Sequence, residues 1–539
     1  MKKILFFIPV AALCVSAGIV INGGAPTSAP KNWFNLSYKD DGTKGVGTEK
    51  TYKDLLAGKT PDTIIVAVID GGVDYMHEDL KNVMWHNPGE IPGNKIDDDK
   101  NGYVDDIYGW NFIGGANGEN VEHDNLELTR EYRRLKKKFK NKTREDLAPA
   151  DTADFSKYLV VQKDYNAKYD ETKTTLDNIA NFRKMNNGLK DEIKAKTGKD
   201  TVTYEDWVSH NASPQYKNFH TLLKTLVVKK AEDWTVLNSE LEEGFNAYND
   251  MLDYHLNVDY DPRSIVGDDY ENQEEKYYGN ADIKGPDAFH GTHVAGIIGA
   301  QRGNNIGIDG VSNAVLIMGV RVVPDGDERD KDVANGIIYA VDNGAKVINM
   351  SFGKAYGYNK AVVDKAVKYA ESKGVLLVHA AGNDSKNNDN TNNFPTARYL
   401  DGGVASNWIE VGALNWQTGK NSLAPFSNYG RKNVDVFAPG VDIHSTTPGN
   451  EYKDASGTSM ASPVTAGVCA VLRAYFPALT PADVKRIVET SSDRSMAKKK
   501  VIIPGEKKKK AKFNSLCKTG GTVDLYAAVQ MASGAVAKK

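Results

Sequence analysis

Four short apolar runs constrain this chain most: Ile64 to Ile69, Val315 to Val323, Lys346 to Met350 and Val375 to Ala381, each bounded by polar residues or glycine. Runs of this length without alternation suit strands buried on both faces. Stretches with helical patterning lie between and after them, near 291–300, 332–343, 359–373 and 461–475. Strands alternating with helices predict an α/β fold, a mostly parallel sheet covered by helices on both faces, with ligands bound beyond the carboxyl ends of the strands.

One block breaks the pattern. Of 49 glycines only Gly188, Gly198 and Gly244 fall within 121–260. Apolar residues recur there at helical spacing, as in Leu176, Ile179, Phe182, Leu189 and Ile193. The expected organisation is a signal segment over 1–25, a first part of the α/β domain over 26–119, a helical insertion over 120–260 and the second part over 261–539. The insertion reads as a helical hairpin packed on itself, or as a lid, docking arm or inhibitory element.

Composition narrows the classes. The net charge of −3 supplies no basic field for a nucleic acid backbone. Cys14, Cys469 and Cys517 allow one disulfide at most and form no CxxC pair. Lys2 and Lys3 precede an apolar stretch from Ile4 to Val15 and then small residues, the pattern of an export signal. The expected location is outside the cytoplasm of a bacterium: secreted, periplasmic or at the cell surface. Membrane contact arises only if that segment stays uncleaved or is lipidated. The lysine-rich stretches at 498–500 and 507–510 read as a solvated surface loop.

Three segments beside strand ends carry chemistry. VAVIDGGVD, residues 66–74, ends an apolar strand in Asp70, which alone reads equally as a cap or turn residue. HGTHVAGIIGA, residues 290–300, places His290 and His293 on one helix face, yet the glutamate of an HExxH helix is missing and neither Cys nor a third His is near in sequence. GTSMASP, residues 457–463, sets Ser459 at an expected helix start with Pro463 in the first turn, where a serine is ordinarily a cap. Together they read differently. A hydroxyl becomes a nucleophile when a neutral imidazole takes its proton and a carboxylate orients that imidazole. AAGND, residues 380–384, adds Asn383, whose amide suits a developing oxyanion alongside the Ser459 N–H.

On these motifs, in this order, the chain resembles the subtilases, the subtilisin-like serine proteases, over 60–119 and 261–530. The resemblance implies that Asp70 orients the imidazole, His290 is base and then acid, Ser459 is the nucleophile and Asn383 an oxyanion donor. It implies that Ser351, Phe352 and Gly353, at the end of the strand INMSFG, pair with an extended peptide. His77 and His379 read as structural. The Asp motif departs from the usual D-[ST]-G, since Gly71 follows Asp70 and one hydroxyl is missing. About 40 residues separate the signal from the Asp70 strand, less than the folded prodomain subtilases commonly carry.

Calcium is the one cofactor expected. IDDDKNGYVDD, residues 96–106, spaces Asp97, Asp99, Asn101 and Asp105 as in an EF-hand-like loop, with Gly102 at the turn. The twelfth position is Tyr108, so the remaining ligand comes from elsewhere, Asp106 being one source. A solvated acidic turn accounts for the same residues. The expected function is an exported endopeptidase acting on protein or peptide substrates through an acyl-enzyme. The alternatives are a catalytically silent binding or adhesion protein on the same fold, and an esterase or transpeptidase with the same triad.

Overall fold

The structure, a computed structural model, describes residues 28–227 and 231–536. The signal segment and Cys14 lie outside the described residues. The described chain divides into two compact units, one built from 28–127 with 261–536 and one from 128–260.

The first unit holds a seven-stranded sheet in the order β2-β3-β1-β4-β5-β6-β7, every neighbouring pair parallel. The strands are β1 (Ile64–Asp70), β2 (Gly109–Asn111), β3 (Val315–Arg321), β4 (Val347–Met350), β5 (Leu376–Ala380), β6 (Trp408–Leu414) and β7 (Val436–Pro439). The four expected strands are β1, β3, β4 and β5. β6 escaped the apolar pattern because Glu410 interrupts it, although that carboxylate is buried. Side chains along β1 alternate between faces. Val66 and Val68 join a core that includes Val294, Ile298 and Val464, while Ala67 and Ile69 join one that includes Ile337 and Val363. Helices α1 (Phe289–Gly299) and α4 (Thr458–Tyr475) therefore cover one face, and α2 (Asp330–Asp342) and α3 (Lys360–Ser372) the other. Strand order reverses at β1, which has β3 on one side and β4 on the other, and so opens a crevice at its carboxyl end.

Two antiparallel hairpins complete the unit, β8 (Ile443–Thr447) with β9 (Glu451–Ala455), and β10 (Lys500–Ile502) with β11 (Lys510–Lys512). The lysine-rich stretches are thus partly strand, not only loop: Lys500 pairs with Lys512 across β10 and β11. Cys469 and Cys517 are both free and buried.

The second unit is helical among its described residues, with helices Thr152–Thr197, Tyr204–Ser209, Lys217–Leu226 and Ala231–Asp250. It has its own apolar cluster of Leu189, Ile193, Trp207, Leu223, Val227 and Trp234, in which the two indoles stack at 4.7 Å.

Candidate active site

Asp70 is the last residue of β1 and, by alternation, shares the face of Val66 and Val68 beneath α1 and α4. The chain then turns at Gly72, whose φ of +149° and closeness to the Lys284 carbonyl, 2.2 Å from where a Cβ would stand, admit only glycine. Gly291 is needed for a second close approach, since a Cβ there would lie 2.1 Å from the Gly72 carbonyl oxygen. These two glycines bring the first turn of α1, with His290, down onto the end of β1.

Asp70 Oδ1 accepts from the Gly71 N–H at 2.8 Å and from His290 Nδ1 at 2.7 Å. An ionised carboxylate only accepts, so Nδ1 carries the proton and Nε2 of the neutral ring is left as a base. Asp70 Oδ2 is buried and has no hydrogen-bond partner among the described residues. Burial opposes charging His290, but the Asp70 carboxylate outweighs it and raises the imidazole above its ordinary value. The His290 side chain remains 41% exposed.

His293 plays no part in this group. Its Nε2 faces the carbonyls of Ile443 and Lys453 at 3.0 and 3.1 Å, tying α1 to the hairpin, and burial pushes its pKa down to about 4. His77 is likewise structural in its bonding, between the Glu451 carbonyl and the Asp79 N–H. His379 lies on β5 with its side chain toward the opposite face of the sheet, against Trp408, and Glu410 accepts its Nδ1–H at 3.0 Å.

Ser459 is the second residue of α4. Its hydroxyl donates to the Ser351 carbonyl at 3.1 Å, and the Ser351 hydroxyl donates back to the Ser459 carbonyl at 2.8 Å. Pro463 explains the second bond. Four residues after Ser459, it has no N–H to give that carbonyl, which is therefore free for Ser351. Pro463 sits in the second turn, not the first as expected, because α4 starts at Thr458. Ser351 is held in turn by Asn349 Nδ2 at 2.9 Å, and Asn349 by the Ser462 hydroxyl at 2.8 Å. No hydrogen bond joins Ser459 to His290, as is common before substrate tightens such a site.

Asn383 lies three residues past β5. Its Oδ1 accepts from the Thr458 N–H at 2.8 Å and from the Thr458 hydroxyl at 3.0 Å, which fixes which end of the amide is oxygen. The Thr458 hydroxyl also accepts from the Gly382 N–H at 3.1 Å. Asn383 Nδ2 and the Ser459 N–H, a first-turn amide of α4, both lie 3.5 Å from the point where a Gly457 Cβ would stand. Two donors thus face one small space, kept open by glycine.

Ser351, Phe352 and Gly353 follow β4 and are not part of it, since the strand ends at Met350. Beyond the parallel ladder, Phe352 and Gly353 make no backbone hydrogen bond to other main chain among the described residues. Phe352 stands edge-on to His379 at 6.3 Å. Ser351 and Phe352, with Asp70 and His290, line a cleft of about 490 Å³.

The acidic loop forms a different group from the expected one. Asp97 accepts the Asn101 and Gly102 N–H groups and Asp105 those of Gly93 and Lys95, so both serve turns, while Asn101 accepts from Tyr103. The carboxylates that converge, within 4.8 Å of one another, belong to Glu90, Asp99 and Asp106. Of the expected carboxylates only Asp99 belongs, Asn101 donates its Nδ2 to Asp99 and Asp106 at 3.1 Å, and Glu90 was missed because it stands seven residues before Asp97, outside the loop's spacing. Burial pushes the Asp106 carboxyl up to about 6 despite donors from Tyr339, Asn87 and Asn101. These acidic groups are able to hold an ion.

Comparison with known proteins bears on the whole arrangement. The subtilase family's sequence model (Peptidase_S8) matches residues 62–520. The thermophilic serine proteinase of a Bacillus species is 37% identical over 262 residues, 48% of this chain and 59% of that one. Subtilisin amylosacchariticus of Bacillus subtilis is 41% identical over 207 residues, 38% of this chain and 50% of the other. This chain therefore spans between half and three fifths of these relatives' length. A solved structure of proteases from Pseudoalteromonas arctica is 28% identical, with a TM-score of 0.38 over 47% of this chain and 78% of that one.

Proposed function

Because the chain belongs to the subtilase family, we propose that it is an exported serine endopeptidase that cleaves peptide bonds through an acyl-enzyme on Ser459. The observation that carries this reading is the 2.7 Å bond from His290 Nδ1 to Asp70, which leaves Nε2 as the free base beside a cleft.

The chemistry follows from the groups present. The Ser459 hydroxyl turns from the Ser351 carbonyl to His290 Nε2 and gives up its proton as Oγ bonds the substrate's carbonyl carbon. The charge that develops on the carbonyl oxygen falls in the space before Gly457, where Asn383 Nδ2 and the Ser459 N–H donate. The C–N bond breaks as His290 returns its proton to the leaving amine. Water, deprotonated by the same imidazole, then frees the acid and restores the serine. An extended substrate pairs with the main chain at Phe352 and Gly353. The leader over 1–25 supplies export.

The test is intact and peptide mass spectrometry after treatment with a fluorophosphonate. One adduct on Ser459 is expected, and a folded chain without it sinks the reading in favour of a silent scaffold. Asn383→Ala is expected to lower kcat about 100- to 1,000-fold, with KM little changed, because its donor acts on charge that exists only in the transition state. A shift confined to KM contradicts that role.

The carboxylates of Glu90, Asp99 and Asp106 fit calcium, a hard cation that takes oxygen ligands, and none of the three has an ion-pair partner among the described residues. Calcium there supplies stability by neutralising buried charge and takes no part in the reaction. Chelation with EDTA is expected to lower Tm by about 3–5 °C. Asp106→Asn removes that difference, and a Tm indifferent to EDTA counts against the ion.

A further inference from the structure

The wall of the cleft around His290 carries a charge pattern that the reaction does not use. Glu122, Asp287 and Asp325 line it together with the Asp70 and His290 pair and with Phe352. Glu122 and Asp325 side chains are 61% and 51% exposed, and Asp287 is also exposed. Asp325 bonds His123 Nδ1 at 2.7 Å, and one oxygen of Asp287 caps the Phe289 N–H.

Among the described residues lining the cleft, the one permanent cation is Arg321, which is turned inward. It is buried, and its three nitrogens serve the Gly71 carbonyl, Asn111 Oδ1 and the Val121 carbonyl, all of them neutral acceptors. None of these bonds goes to the rim carboxylates.

We propose that this wall selects substrates carrying lysine or arginine beside the bond to be cut. The inference rests on the peptidase reading and names its substrate class. A long basic side chain matches what the wall offers: an apolar ring for its methylene stem and separated exposed carboxylates for its charged end. Because the carboxylates are exposed, the preference is on the order of tenfold and weakens as salt screens it.

Binding is measured on the full-length Ser459→Ala protein by fluorescence anisotropy, so that turnover does not enter. The probes are labelled hexapeptides identical except for lysine, norleucine or glutamate at each position in turn. At one position lysine is expected to bind about tenfold tighter than norleucine, with glutamate weaker than both, and the advantage is expected to shrink at high salt. Equal binding of lysine and norleucine at every position, or a preference unmoved by salt, overturns the proposal.

The double variant Glu122→Gln, Asp287→Asn locates the effect, and the amide oxygen it introduces in place of the Asp287 carboxylate still accepts from the Phe289 N–H. The lysine-to-norleucine ratio collapses if this wall is responsible and persists if it is not. Hydrolysis of the norleucine peptide by the unaltered protein reports separately on the peptidase reading. Its absence defeats that reading, whereas hydrolysis without a basic preference defeats only this one.

Discussion

Replacing Ser459 by alanine is expected to lower kcat about a million-fold and leave the fold intact. The size follows from what the hydroxyl does: without it no acyl-enzyme forms, and His290 and Asp70 lose the proton they exist to move. The residual rate, about a thousandfold above water, is then the work of the donors facing the space before Gly457 and of binding alone. The structural cost is small. Among the described residues the hydroxyl's one bond is to the Ser351 carbonyl, and losing it costs about 1 kcal/mol. The return bond from Ser351 goes to the Ser459 main chain and survives the substitution. Alanine also suits the first turn of α4 better than serine does. Progress curves at high enzyme concentration, with a thermal melt beside them, check both halves. A variant that keeps more than about one part in a thousand of wild-type kcat places the nucleophile elsewhere.

The parts of this site that were legible in the sequence are those whose local chemistry is unusual. An apolar strand that ends in a carboxylate and two glycines, as at Asp70, has few uses. A helix that opens with His290 and several small residues must approach another backbone closely, and the Gly72–Gly291 contact is that approach. What sequence hides is the direction in which side chains point and which distant residues meet. Nothing in GTSMASP tells that the Ser459 hydroxyl rests on Ser351, although Pro463 four residues on does signal a carbonyl left open at Ser459. Thr458 looks like a spacer, and only the fold shows it gripping Asn383 through both its N–H and its hydroxyl. Spacing within one loop suggested Asp97 and Asp105, but the carboxylate that converges with Asp99 and Asp106 comes from Glu90, outside that loop. The same reason hid β6, where Glu410 reads as a break in an apolar run until His379 and Trp408 are seen beside it. The acidic wall of the cleft is a further case, since Glu122 and Asp287 stand 165 residues apart in a chain of near-neutral net charge.

Asp70→Asn is expected to lower kcat/KM about ten-thousand-fold and to move the acid limb of the pH profile downward. The loss has two sources. An amide does not stabilise the imidazolium that forms when His290 takes the serine proton. It also has no good orientation: with its oxygen toward His290 its NH₂ occupies the buried Oδ2 position, which has no partner among the described residues, and with its NH₂ toward Nδ1 it forces the proton onto Nε2 and removes the base. The pH shift follows from the balance on His290. Burial lowers its pKa and the Asp70 carboxylate raises it by more, so the folded value stands above the ordinary 6.5. The neutral ring is the active form, so wild-type activity falls as pH drops through that raised value. Removing the charge leaves burial opposed only by the weaker pull of Asp287, and the limb moves downward. Stability runs with the opposite sign. In the wild type the His290–Asp70 attraction contributes fully below 6.5 and is lost as pH rises through the folded value. The variant lacks this contribution, so its stability deficit against wild type is widest at low pH and narrows across that window. Rate profiles and melts from about pH 5 to 9 read both effects. An acid limb that stays in place while the rate collapses assigns it to a group other than His290, and a limb that moves upward contradicts the electrostatic role of Asp70.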